Sequence, residues 1–445
     1  MPVHMPTLVQ SQPALTTASS TPIATQRLMS VDALRGFDMF WIIGADSLVG
    51  ALNRMSQTGP TRFLADQLEH AEWDGFHFYD LIFPLFVFLA GVSLVFSLTK
   101  TIEQSGRAEA LKRVIRRGVL LFLIGIFYYG GFTNPWPDMR LMGVLNRIAL
   151  AYLFAGLFFC FFKPRALLAI CAGLLIGYWG ILTFIPIRDI KLTKSNVAQL
   201  AKAAGDLETA TYFERSDSTN ASTVKNSPAW AGSKKLFFST TKTVTGKYEK
   251  GYNLSDHTDF RYLPGKKWDT FSDPEGLLST IPAVATCLLG VFAGLLLKNK
   301  SIEDQSKVNY LLCLGAAAVV AGWLWNLQFP VIKKIWTSSF VLVAGGYSAI
   351  LLGLFFLIID VWKKRSWCQP LLWIGMNSIT IYLAKNIITG GFRTVAVRFV
   401  GGDIKTFFDA HIAKGLGDLI VAIAGLLLAF WFVHFLYKRK IFLRL

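Results

Sequence analysis

The sequence predicts an all-α polytopic membrane protein of about ten transmembrane helices, with a polar periplasmic insertion between helices five and six. Three observations carry this. The 445 residues are 53% hydrophobic and 14% aromatic but only 16% charged, against about a quarter charged in ordinary soluble domains, and mean hydropathy is +0.45. Apolar runs of about 20 residues, the length that crosses hydrocarbon, recur along the chain and do not alternate as barrel strands would. The Lys and Arg behind the net charge of +17 lie largely between those runs, where they set topology. That placement argues against nucleic acid as a partner; the partner it implies is the lipid bilayer.

Residues 1–26 are rich in Ser, Thr, Pro and Gln and hold no apolar core, so they read as a disordered cytoplasmic tail and not as a signal peptide. Arg27–Gly36 is an amphipathic lead-in to the first span, about 36–52. A polar loop at 53–78 precedes the second span, about 79–99. A basic loop with Lys100, Arg107, Lys112, Arg113, Arg116 and Arg117 leads to the third, about 118–132. The fourth and fifth are about 142–162 and 166–186. Residues 187–275 are polar and contain nothing able to span, which predicts a small extramembrane subdomain with some irregular structure. Spans six to ten are about 276–297, 309–327, 338–361, 370–390 and 416–436. The expected divisions are 1–26, 27–186, 187–275 and 276–445.

Short basic loops follow the even-numbered spans, and the C-terminal tail is basic too. The positive-inside rule then puts both termini in the cytoplasm. The loop holding His70 and the insertion fall on the opposite face, the periplasm of a bacterial inner membrane. The five cysteines (Cys160, Cys171, Cys287, Cys313, Cys368) form no CxxC pair and read as small apolar residues, with no metal site.

Charged groups beside apolar spans are rare and tend to be functional. His70 to Asp80 carries two histidines (His70, His77) and several carboxylates at the mouth of a hydrophobic segment. Asp80 is either a helix N-terminal cap or the orienting partner of a histidine base, and His77 competes with His70 for that role. Asp32 and Arg35 have the spacing of a helical ion pair; Arg35 could instead bind phosphate. Arg147 falls inside a span and needs a partner such as Asp46. Asp273-Pro-Glu275 is a good helix start that also puts Glu275 at the membrane face. Asn377 and Ser378 could bond across helices, and Lys385 could snorkel. P-loop, GxGxxG, G-x-S-x-G and HExxH signatures are absent.

Arg27-Leu-x-Ser-Val-Asp-x-x-Arg-Gly36, His70-Ala-x-Trp73-x-Gly75 and Asp80-Leu-Ile-Phe-Pro84 occur in that order. Gly143-Val-Leu-x-Arg147, Asp273-Pro-Glu-Gly276, Lys334-x-Trp336-Thr-x-Ser-Phe340 and Gly375-Met-Asn-Ser378 follow. The ordered set resembles the heparan-α-glucosaminide N-acetyltransferase family of transmembrane acyltransferases, in its NagX-like bacterial branch. The resemblance implies acetyl transfer from cytoplasmic acetyl-CoA to the amine of a glucosamine-type sugar across the membrane. It selects His70 as general base or acetyl acceptor, supported by Asp80. Cationic groups at the cytoplasmic mouth, Arg35, Arg116 and Arg117, suit the coenzyme's phosphates, with Arg147, Asn377 and Ser378 on the donor side. Asn377 or Ser378 could also serve the thioester oxyanion. Trp73, Asp273, Glu275, Lys334 and Trp336 are then the acceptor-side residues, and a homodimer is possible. The sequence departs from the lysosomal relatives in lacking a large luminal N-terminal domain, in its longer insertion, and in Lys385 where the animal enzyme carries a histidine. Two other classes compete: an amino-sugar permease, which would show inverted repeats, and a purely structural scaffold, which would leave the 69–80 cluster to chance.

Overall fold

A computed structural model describes residues 28–133, 135–215, 227–387 and 391–443; the expected tail at 1–26 lies outside them. The described chain is dominated by helices. Helix α1 (Met29–Phe40) runs through a π-helical turn at Trp41–Ala45 into α2 (Asp46–Met55). Gly44 takes φ 135° there, a region open to glycine. The carbonyl of Ile42, within this turn, accepts from Lys385 Nζ at 2.6 Å. Lys385 thus has a structural partner at the bend, as broken helices in membranes require.

After α3 (Gly59–Gln67) comes α4 (Phe78–Tyr128), which accommodates Pro84 and is interrupted at Gly106, where φ is 81°. Arg113 donates to Thr101 Oγ1 at 2.9 Å. Twelve residues along a straight helix would span about 18 Å, so the chain doubles back at Gly106 into a helical hairpin. The expected second and third spans are its two arms. Helices α5 (Val144–Phe161) and α6 (Pro164–Phe184) follow.

The insertion is more ordered than its composition suggests. It contains α7 (Lys194–Ala203), α8 (Leu207–Arg215), α9 (Pro228–Ser239) and α10 (Leu254–Tyr262). Strand β1 (Ile187–Arg188) pairs antiparallel with β2 (Thr243–Val244), and β3 (Tyr248–Glu249) with β4 (Tyr252–Asn253). It has its own apolar core, built from Ile190, Leu192, Val197, Phe213, Phe237, Phe260 and Phe271, because aromatic side chains spaced among the polar residues converge on one side.

The second half comprises α11 (Thr280–Lys298), α12 (Asp304–Trp325) and α13 (Ser338–Phe355, continued by a π turn to Val361). Then come α14 (Gln369–Met376), α15 (Ser378–Ile387), α16 (Gly391–Val400), α17 (Asp403–His411) and α18 (Leu416–Lys438). Among the described residues, seven helices rather than ten are long and apolar enough to span: α4, α5, α6, α11, α12, Ser338–Val361 and α18. The difference has three local causes. Spans two and three share α4, the first span is bent at Trp41–Ala45, and the ninth is broken at Asn377.

The bundle closes through backbone approaches that only glycine allows. A Cβ on Gly36 would come 1.8 Å from the carbonyl oxygen of Leu371, and one on Gly375 1.8 Å from that of Asp32. Helices α1 and α14 therefore touch backbone to backbone, which brings Arg35 and Ser378 to one side of the same cavity. The largest apolar core joins α1, α4, α5, α6, α11, α12 and α13.

Candidate active site

The site begins with Asp80. Its residue type suits the first turn of α4, where backbone amides lack intrahelical partners. The carboxylate accepts from the amides of His77 at 3.0 Å and Ala71 at 3.2 Å through Oδ2. The capping role therefore holds. The other oxygen meets His70 Nδ1 at 2.8 Å, so the same carboxylate that caps the helix also contacts the imidazole. An ionised carboxylate can only accept, so a proton on Nδ1 would be donated to it. His70 is half-exposed while Asp80 is fully buried, and the imidazole packs over Tyr79 with ring centroids 4.9 Å apart. His77 is turned away, its Nδ1 bonded to the carbonyl of Glu69 at 3.0 Å.

The third member is Lys333, whose neighbour Lys334 is the one selected from sequence. Lys333 Nζ lies 3.3 Å from Asp80 Oδ1 and 2.9 and 3.2 Å from the two ring nitrogens of His70. Burial pushes its ammonium below the usual lysine range, and Asp80 opposes that. Two backbone features fix it. Gly75, at φ 119°, donates to the carbonyl of Val331 at 2.9 Å, pinning the His70 loop to the Lys333 loop. Trp336 adopts φ 51°, a strained conformation for a bulky residue, while its amide bonds the carbonyl of Lys333 at 3.0 Å. Lys334 pairs with Asp269 at 3.1 Å and borders the same cavity as His70 and Lys333.

The opposite wall is made by the segment that links the insertion to α11. Arg140 takes Asp273 in a bidentate pair at 2.9 and 2.7 Å and Glu275 at 2.7 Å. Its guanidinium lies 4.5 Å from the ring centre of Tyr129 and 4.9 Å from that of Trp268. Burial, then the nearby Asp273 carboxylate, pushes the Glu275 carboxyl up, against the pull of Arg140.

Three cavities join these parts. An outer vestibule of about 720 Å³ is bounded by His70, Arg140, Trp268, Glu275, Lys333 and Trp336, among others. It shares His70, Val144, Glu275, Lys333 and Tyr382 with a mainly apolar middle cavity of about 220 Å³. The middle cavity shares Phe86, Leu145, Ile148 and Ile379 with an inner one of about 60 Å³. That inner cavity carries Arg35, Arg117, Ser93 and Ser378. Arg35 donates to Ser93 Oγ at 2.7 Å and to Asp32 at 3.2 Å, so the helical ion pair is present too. Arg117 lies over the Tyr152 ring at 4.6 Å.

Several residues selected from sequence sit elsewhere. Arg116 is exposed and lines none of these three cavities. Trp73 donates its indole N–H to the carbonyl of Tyr248 at 2.8 Å and packs with Tyr178 and Phe329, fastening the His70 loop to the insertion. Arg147 is fully buried, bonded to Ser279 and 4.8 Å from the ring centre of Trp336, and makes no pair with Asp46. Asn377 donates to the carbonyl of Trp373 at 3.1 Å. Ser378 reaches the basic inner cavity, remote from the oxyanion role beside His70. Lys333 and Arg140, with Tyr129 and Trp268 beside it, were not selected from sequence; the signal for Lys333 was its adjacency to Lys334. Among the described residues no cluster of His, Cys, Asp and Glu could hold a metal ion.

Residues 27–197 match the family model for the catalytic region of heparan-alpha-glucosaminide N-acetyltransferase. The chain is similar to these acetyltransferases. The one from Mus musculus is 26% identical, over 73% of this chain and 50% of the relative. The one from Homo sapiens is 25% identical, over 86% of this chain and 55% of the relative. The chain spans about half the length of the relatives it matches. The matched stretch contains Arg35, His70, Asp80, Arg117, Arg140 and Arg147, while Glu275 and Lys333 lie beyond it.

Proposed function

We propose that this protein is a transmembrane N-acetyltransferase that carries an acetyl group from acetyl-CoA to the amine of a glucosamine-type sugar. The observation that supports it is the series of cavities linking Arg35 and Arg117 to His70 through an apolar middle. Phosphates of the coenzyme suit the arginine end, and the pantetheine arm suits the apolar passage. The thioester then meets the acceptor beside His70. The positive-inside pattern favours a cytoplasmic arginine end and a periplasmic vestibule in a bacterial inner membrane, with both termini cytoplasmic.

In a direct transfer the amine nitrogen attacks the thioester carbonyl and the C–N bond forms. His70 Nε2 takes the amine proton, the C–S bond breaks, and the coenzyme leaves as thiolate and is then protonated. Asp80 balances the imidazolium. In the two-step alternative, Nε2 attacks the thioester carbonyl, the C–S bond breaks and the thiolate leaves and is protonated; the amine then attacks the acetyl-imidazole, the Nε2–C bond breaks, and the freed Nε2 takes the amine proton. Glu275 faces the same space and suits an approaching ammonium. The exposed face of Trp268 and the rings of Tyr129 and Tyr382 offer flat apolar surfaces to a sugar.

The test is transfer by purified protein in proteoliposomes, with acetyl-CoA on one side and glucosamine on the other. N-acetylglucosamine should appear only on the acceptor side. Absence of transfer, together with coenzyme-independent uptake of labelled N-acetylglucosamine, would replace the reading with a permease.

A further inference from the structure

The insertion and the reacting end of the bundle are joined by a short strap, residues 273–279, that precedes α11. It carries Glu275, so its path decides where that carboxylate stands. Amides ahead of a helix have no intrahelical acceptor and need one from elsewhere. Here it comes from the insertion: Asp259, on α10 and fully buried, accepts from the amide of Leu277 at 2.9 Å and that of Asp273 at 3.3 Å. Gly276 presses on the same carboxylate. A Cβ there would come 1.9 Å from Asp259 Oδ2, so the strap reaches Asp259 only with glycine at this position.

The contacts continue into the vestibule. Asp273 accepts from the amides of Trp268 at 3.0 Å and Glu275 at 3.1 Å and holds Arg140 bidentately. Arg140, stacked between Tyr129 and Trp268, grips one oxygen of Glu275. A second tie runs alongside, from the amide of Lys266 to the carbonyl of Met139 at 2.8 Å. We propose that Asp259 is a positioning residue: through the Gly276 contact and the strap amides, the insertion sets the place of Glu275 and thereby the fit of the sugar acceptor. This rests on the reading of Glu275 as an acceptor-side residue.

Four variants test it: Asp259→Ala, Asp259→Asn, Gly276→Ala and the double Asp259→Ala/Gly276→Ala. Two readouts apply to each, amide hydrogen exchange over residues 273–279 and the KM values for glucosamine and acetyl-CoA. Asp259→Ala should speed exchange of the Asp273 and Leu277 amides and raise the glucosamine KM, each about tenfold, as for loss of a buried hydrogen bond. The acetyl-CoA KM should stay within about twofold, since the arginine end is not touched. Asp259→Asn retains one acceptor oxygen and should fall between wild type and Asp259→Ala, which covers the case of a poorly folding alanine variant. Gly276→Ala should reproduce the defect, and the double variant should be no worse than either single, because removal of the carboxylate removes the clash.

Wild-type exchange in Asp259→Ala, or full additivity in the double variant, would overturn the wiring. Faster strap exchange with an unchanged glucosamine KM in an active enzyme would overturn the positioning role and leave the transferase reading intact. A wild type with no transfer would overturn that reading and with it the positioning of a sugar, while the exchange arm would still decide whether Asp259 holds the strap.

Discussion

The two ends of the cavity path are built differently. At the outer end, Asp80 on α4 apart, the clustered polar groups come from irregular segments: the His70 loop, the Lys333 turn and the strap before α11. Their charges are committed to one another, with Asp80 meeting two amides, an imidazole and an ammonium. At the inner end Arg35, Arg117 and Ser378 stand on or at the start of helices, α1, the second arm of α4 and α15. The outer arrangement fixes geometry, as acid–base chemistry requires. The inner one presents cations toward a narrow apolar passage, which suits holding a charged ligand more than reacting with it. The difference predicts that outer-end substitutions act on turnover and inner-end ones on donor affinity.

His70→Ala should give the largest effect, a fall of about a thousandfold in kcat for acetyl transfer, with the helical circular dichroism unchanged. Turnover near wild type would remove His70 from the chemistry and erase the contrast between the ends. Next, Arg117→Ala should raise the acetyl-CoA KM by roughly ten- to a hundredfold, as for loss of a charged hydrogen bond, with kcat little altered. The neighbouring exposed Arg116→Ala should stay within about twofold. Equal effects at the two positions would mean that general surface charge, and not the inner cavity, holds the donor.

The smallest expected effect is on stability. Burial, reinforced by Asp256 and Asp273, pushes the Asp259 carboxyl up to about 7. A carboxyl raised in the folded state stabilises fully below the ordinary carboxylate range, and that contribution is lost as pH rises through about 7. The wild-type melting temperature should therefore carry a component that falls between about pH 4 and pH 7, and Asp259→Asn should lack it. Parallel melting curves for the two proteins across that window would refute the linkage.

Much of the helical architecture was legible in the sequence, since apolar runs report directly on spanning length. The bends were less so. A π turn at Trp41–Ala45, a reversal at Gly106 and a break at Asn377 leave hydropathy unchanged, so among the described residues the ten apolar runs correspond to seven helices of spanning length, one of them the hairpin α4. In the site, motif order and charge rarity pointed to His70, Asp80, Asp273 and Glu275, and to Arg147 where the structure has Arg140 holding the two carboxylates. They could not choose between Lys333 and Lys334, because in an irregular turn adjacent side chains follow no period and the left-handed Trp336 decides which lysine faces His70.

The sequence by itself determined that this chain is helical and membrane-embedded, and that titratable groups gather at the mouth of its second apolar run. Those properties are carried by composition and local order along the chain. Only the tertiary structure decided that Arg147 rests on Ser279 and Trp336, that Trp73 anchors the insertion, and that α10 reaches across to the strap beside Glu275. Such pairings join residues at least 18 positions apart. They depend on where glycine lets backbones meet and where a buried polar group finds its partner, and neither leaves a periodic trace in the sequence.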